Sequence, residues 1–111
     1  MRLSEKEVKA FIQVLDPYLT DKNASLYLYG SRTQDHLKGG DIDLLLVLED
    51  PQKAVPLLEK KYEILVRFKE KVGERKIDLT IATTLKTQTE LFLKEIMKST
   101  LLLKKWSNYT Q

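Results

Sequence analysis

The sequence has 111 residues and a mass of 12.9 kDa, with 42% hydrophobic and 32% charged residues and a formal net charge of +3. A chain of this size buries roughly 65% of its unfolded surface, enough for one domain with one core, and the balance is that of a soluble globular protein rather than a disordered one. Cysteine is absent and His36 is the single histidine, which excludes disulfide scaffolds, cysteine nucleophiles, thiolate zinc sites and multi-histidine metal centres; a metal here would be held mainly by oxygen, as a hard cation such as Mg²⁺ is.

Met1-Arg2-Leu3-Ser4 carries no apolar run after its basic residue, and no apolar run approaches the roughly 20 residues needed to span a bilayer, so a cytoplasmic protein is expected. Ser4-Glu5-Lys6-Glu7 fits a capping box, with the Ser side chain capping the first turn and the Glu reaching back. Val8, Phe11, Ile12 and Leu15 then recur at helical spacing, which predicts a helix from Glu5 to Leu15. Asp16-Pro17 should interrupt it, with a short further turn to Leu19. Ser25 to Tyr29 reads as a strand that ends at Gly30-Ser31, and Gly39-Gly40 is a second break. Leu44 to Leu48 is apolar on both faces, as a central, doubly covered strand requires, so a strand is expected over Asp41–Leu48.

Pro56 to Val72 is expected to form one helix with Leu58, Leu65, Phe68 and Val72 as its apolar stripe and Gly73 as its stop. Lys76 to Ala82 alternates strictly and predicts another strand. Gln88 to Lys98 suggests a last helix carrying Leu91, Phe92, Glu95 and Ile96. Leu101–Leu103 either extends that helix or forms a short edge strand, and residues 104–111 form a polar tail with Trp106 and Tyr109. The order of elements predicts a single α/β or α+β domain over residues 1–111, with one small sheet.

Charge is uneven along the chain. Residues 1–50 hold six Lys and Arg against nine Asp and Glu, and residues 51–111 hold thirteen against seven. A basic half can mark a phosphate-bearing partner, although it is more often solvated helix surface. No aromatic-basic motif accompanies it, so sequence-specific nucleic-acid binding is not expected.

Asp41-Ile42-Asp43 is the feature most pointed towards chemistry. Residues two apart in a strand project to the same face, so both carboxylates stand together at the mouth of the most apolar strand. Two unpaired carboxylates there are costly, and a divalent cation bound through oxygen resolves the conflict. Asp78 supplies a third acid in another apolar strand, where Asp is disfavoured without a reason. If the strands are neighbours, Asp41, Asp43 and Asp78 can converge on metal; the plainer alternative for Asp41-x-Asp43 alone is a solvated turn. Gly30-Ser31 after a strand offers close backbone approach and exposed amides suited to phosphate, and is also an ordinary turn.

In combination these features are more specific. Gly30-Ser31, nine residues, Asp41-x-Asp43, a helix, and an apolar strand with Asp78 resemble the nucleotidyltransferase superfamily of DNA polymerase beta. The stretch Tyr29-Gly30-Ser31-Arg32 … Gly39-Gly40-Asp41-Ile42-Asp43-Leu44-Leu45 is similar to the minimal nucleotidyltransferases of bacteria and archaea. The resemblance covers residues 25–82 and the helix before them. Thr33-Gln34-Asp35 replaces the small residue and glycine frequent after the arginine, and the interval before Asp41 is one residue short. The resemblance implies a nucleotidyltransferase fold, a small mixed sheet flanked by helices. It implies that Gly30 and Ser31, with Arg32 and Gly40, bind the nucleotide. Asp41, Asp43 and Asp78 would hold Mg²⁺ (or Mn²⁺), and Asp78 would help deprotonate an attacking hydroxyl. The reaction implied is transfer of a nucleoside monophosphate, AMP from ATP or another nucleoside triphosphate, with release of pyrophosphate. Minimal members often accompany a small helical HEPN-domain protein, which makes modification of such a toxin by its antitoxin the leading expectation. Transfer to a small molecule such as an antibiotic, a catalytically idle partner-binding module, and self-association are the alternatives. Tyr27 and Tyr29 are expected to be packing residues, and His36 a surface loop residue.

Overall fold

The computed structural model describes residues 3–30, 41–73 and 75–107. Helix α1 (Glu5–Leu19) begins as the sequence predicts: Ser4 Oγ accepts from Glu7 N at 3.1 Å while Ser4 N donates to Glu7 Oε1 at 3.1 Å. It does not stop at Leu15. Pro17 is accommodated inside the last turn, where Val14, Leu15 and Leu19 all reach the core. Burial of Leu19 outweighs the loss of one donor to the carbonyl of solvent-exposed Gln13.

Strand β1 (Ala24–Tyr29) and strand β2 (Ile42–Leu48) pair antiparallel, and β2 pairs parallel with strand β3 (Ile77–Thr83). The connection from β2 to β3 contains two helices rather than one. Asp50 caps helix α2 (Pro51–Glu59) through Gln52 N at 2.9 Å, with Pro51 in the first turn, where its missing N–H costs nothing. Lys60, at φ −100° and ψ 10°, breaks the helical path before helix α3 (Lys61–Val72). The break resets the phase of the expected stripe: Ala54, Leu57, Ile64 and Phe68 are buried, whereas Leu58 is exposed. Gly73 ends α3 at φ 90°, in the region open to glycine, as expected.

After β3 the chain forms helix α4 (Thr84–Thr89), capped by Thr83, and helix α5 (Leu91–Met97), separated by an extended Glu90. The single helix expected over 88–98 is therefore split, and its inward residues are Leu93 and Ile96 while Leu91 and Phe92 face solvent. Strand β4 (Leu101–Trp106) then pairs antiparallel with β1, giving the sheet order β3-β2-β1-β4. Of the two alternatives for Leu101–Leu103 the edge strand is correct, and Lys104, Lys105 and Trp106 belong to it. The result is a mixed α+β fold, a four-stranded sheet flanked by helices, of the class expected.

Alternation sorts the sheet into two faces. Leu26, Leu28, Ile42, Leu44, Leu46, Leu48, Ile77 and Leu79 meet α1, α2 and α3 in the main core, where Phe11 and Phe68 stack edge-to-face with centroids 4.9 Å apart. Leu45, Val47 and Ala82 meet Leu93 and Ile96 of α5 on the other face, joined by Tyr27, Tyr29 and Met97. Trp106 ties the edge to the helical layer: its ring is buried and its Nε1 donates to Asp16 Oδ1 at 2.8 Å. Trp106→Phe should lower stability by about 1.5–3 kcal/mol, the scale of one hydrogen bond to a charged acceptor, read as an earlier urea midpoint at unchanged slope. An unchanged midpoint would show that the edge strand is anchored by other contacts.

Candidate active site

The acids lie on the second face, at the end of the sheet where β2 and β3 begin. The parallel register pairs Asp43 directly with Asp78, Ile42 with Ile77 and Leu44 with Leu79. Ile42, Leu44, Ile77 and Leu79 all enter the main core, so Asp43 and Asp78 point together to the opposite face. The same row continues into β1, where Tyr29 is the register partner of Asp43. Asp43 is half-buried and Asp78 exposed, so the pair opens to solvent.

Asp41 lies one residue before β2. Its Oδ2 is 3.8 Å from Lys76 Nζ, an exposed ion pair worth little on its own. The sequence reading missed Lys76; its signal is that Lys76 precedes Asp78 by the same two residues that separate Asp41 from Asp43. Among the described residues no group of three or more acids or histidines is arranged to hold a metal ion. The three acids expected around one ion are thus a facing pair, Asp43 and Asp78, with Asp41 alongside on Lys76.

Gly30 ends β1 at φ 76°, a conformation that L side chains adopt only at a cost. A Cβ built there would fall 2.9 Å from Asp43 Oδ2. The missing side chain is therefore what lets the turn sit against the carboxylate. Ser31, Arg32, His36 and Gly40 lie outside the described residues.

The donor set fits a hard divalent cation: oxygen only, two carboxylates of like charge in register across neighbouring strands, and a solvent-open approach. Like charges directly opposed in a sheet are unfavourable unless a cation lies between them. Asp43 and Asp78 would hold it.

A carboxylate pair at the open end of a mixed sheet, beside a strand–glycine turn, suits chemistry at phosphate, which needs charge neutralisation and positioning more than a covalent group. The chain belongs to the nucleotidyltransferase domain family, whose pattern matches residues 6–110. No curated protein sequence matches it. Among solved structures it is similar to the spectinomycin adenyltransferase AAD(9) from Enterococcus faecialis, crystallised with ATP and spectinomycin. The TM-score is 0.53 and the sequence identity 21%, over 90% of this chain and 48% of that one. At this identity the likeness is one of fold, and the chain spans about half the length of that protein. Among the described residues no helix is long and apolar enough to cross a membrane.

Proposed function

We propose that this domain transfers a nucleoside monophosphate, AMP foremost, from a nucleoside triphosphate to a hydroxyl. The observation that carries the reading is the Asp43–Asp78 pair, set in register on an open sheet face with the Gly30 turn against Asp43. Asp41, Asp43 and Asp78 hold Mg²⁺ or Mn²⁺. Gly30, Ser31, Arg32 and Gly40 bind the triphosphate. The metal, when bound, neutralises phosphate charge and lowers the pKa of an oxygen it contacts. Asp78, the more exposed of the pair, faces the incoming acceptor and takes up the proton of its hydroxyl. The rigid strands fix the carboxylates before the substrate arrives, so little reorganisation remains for the chemical step.

The acceptor we favour is a hydroxyl on a small helical protein of the HEPN type, which this chain would silence as an antitoxin. Exposed Leu91 and Phe92 on α5, and Leu102 on the edge strand, give a protein partner apolar surface to cover. A small-molecule acceptor is the second reading, favoured by the fold shared with an adenyltransferase crystallised with spectinomycin. The two readings separate on incubating the protein with ATP, Mg²⁺ and either the adjacently encoded protein or aminocyclitol antibiotics, followed by mass spectrometry for one added AMP. Neutralisation of the neighbour without any mass gain would favour a non-catalytic binding module.

Nucleotide binding is measurable before any acceptor is known. Isothermal titration should show a nucleoside triphosphate binding with Mg²⁺ and much less with EDTA. Ser31→Ala should weaken binding by about 1 kcal/mol, one net hydrogen bond. Equal binding in both buffers would count against the assigned roles.

A further inference from the structure

Tyr29 and Thr80 do more than the packing expected of the strand tyrosines. Tyr29 is half-buried on β1, and its Oη lies 3.3 Å from Thr80 Oγ1 on β3. These strands are not neighbours, since β2 runs between them. They stand roughly 9–10 Å apart, twice the strand spacing, so the tyrosine side chain must lean across β2 to make this contact. The place where it crosses is defined by register. Tyr29 is level with Asp43 and Asp43 with Asp78, while Thr80 is level with Leu45, the next residue of β2 on that face. The side chain therefore passes from the row of the acids to the row below. Leu45 is fully buried in the small cluster that includes Tyr29.

Two consequences follow. The ring lies beside the carboxylate row and packs on the apolar cluster under α5. With the Gly30 backbone close against Asp43 Oδ2, it narrows the room left to that side chain. The hydroxyl pair clips β1 to β3 across β2 at this level, fixing the separation of the strands that carry Gly30 and Asp78. We propose that Tyr29, held by Thr80, is a positioning residue that presents Asp43 and Asp78 to a divalent cation, an inference that rests on the metal-dependent reading of the site.

The test uses Mn²⁺ alone as a probe, with free ion counted by its paramagnetic resonance signal, on the full chain. Tyr29→Phe and Thr80→Val each remove one hydroxyl at nearly constant shape. Each should weaken Mn²⁺ binding about 10-fold, the lower end of the range for groups that orient metal ligands. Thr80→Ser, which keeps the hydroxyl, should bind within about 3-fold of the unmodified chain on the same reasoning. Pyrophosphate release should fall through kcat, with KM for ATP nearly unchanged, and thermal melts should stay close together. Unaltered Mn²⁺ binding in Tyr29→Phe and Thr80→Val overturns the proposal. So does a Thr80→Ser variant as weak as Thr80→Val, which would mean that the methyl packing matters and the hydroxyl does not. Absence of Mn²⁺ binding in the unmodified chain overturns it together with the metal site. Mn²⁺ binding without pyrophosphate release removes the transfer reading alone, and the ion-binding series still decides the role of Tyr29.

Discussion

Asp43→Asn is expected to reduce nucleotidyl transfer at least about 10²-fold, the loss seen when a preorganised electrostatic element is removed. The substitution keeps the shape of the side chain and deletes its charge. Its neighbour across the parallel ladder is Asp78, so a like-charge opposition is lost when Asn replaces Asp. The protein should therefore melt at the same temperature or slightly higher in EDTA. In Mg²⁺ the order should reverse, because an ion bound only by the native state stabilises that state and the variant has lost a ligand. Rates of pyrophosphate release with saturating ATP, paired with melts in EDTA and in Mg²⁺, measure all three effects. Retention of transfer in a folded Asp43→Asn protein would remove Asp43 from the chemistry and, with it, the central member of the pair.

The parts of the fold legible in the sequence are those where one local signal dominates. The Ser4–Glu7 capping box, the doubly apolar β2 and the alternating β3 are of this kind, and each falls within a residue or two of its expected place. The misreadings share a physical origin: helical periodicity runs on through positions where the backbone changes course. Pro56 looked like a helix start but lies inside α2, whose true start is marked by Asp50 and Pro51. Lys60 and Glu90 carry no residue-type signal for a break, which shows only in the backbone, Lys60 at φ −100° and Glu90 extended. Pro17 was given its usual helix-breaking weight, and burial of Leu19 prevailed.

For the candidate site, Asp41, Asp43 and Asp78 stand out in the sequence because acids in apolar strands need a reason to be there. What single-strand alternation could not supply was the register between β2 and β3. That register makes Asp43 and Asp78 facing partners and leaves Asp41 beside Lys76. The Tyr29–Thr80 contact joins residues 51 positions apart on strands that do not touch, so no local pattern announces it.

Gly30→Ala is expected to separate activity from stability. Alanine at φ 76° costs about 1–2 kcal/mol of backbone strain. Its Cβ would also meet Asp43 Oδ2 at 2.9 Å, too close for an unshifted structure. The atom it meets is the end of a side chain, so the fold relieves the clash cheaply by moving the carboxylate. That movement is what the chemistry does not tolerate, since a displacement on the order of 1 Å in a positioned group costs about 10²-fold in rate. Transfer should fall by about one to two orders of magnitude on that reasoning, with only the modest stability loss of the backbone. Gly73→Ala is the matching control. Gly73 stands at φ 90° at the end of α3, with nothing within 4 Å of an added Cβ. It should lose stability by about 1–3 kcal/mol, as a residue forced into glycine-only backbone space does, and keep its rate of transfer. Combining Gly30→Ala with Asp43→Ala completes the argument. With the carboxylate gone the added methyl meets no Oδ2, so the Gly30→Ala step should then cost only its backbone strain and change the residual rate no further. A Gly30→Ala protein that transfers as fast as the original would show that Asp43 has room to spare, and that the tight turn against it serves the fold and not the reaction.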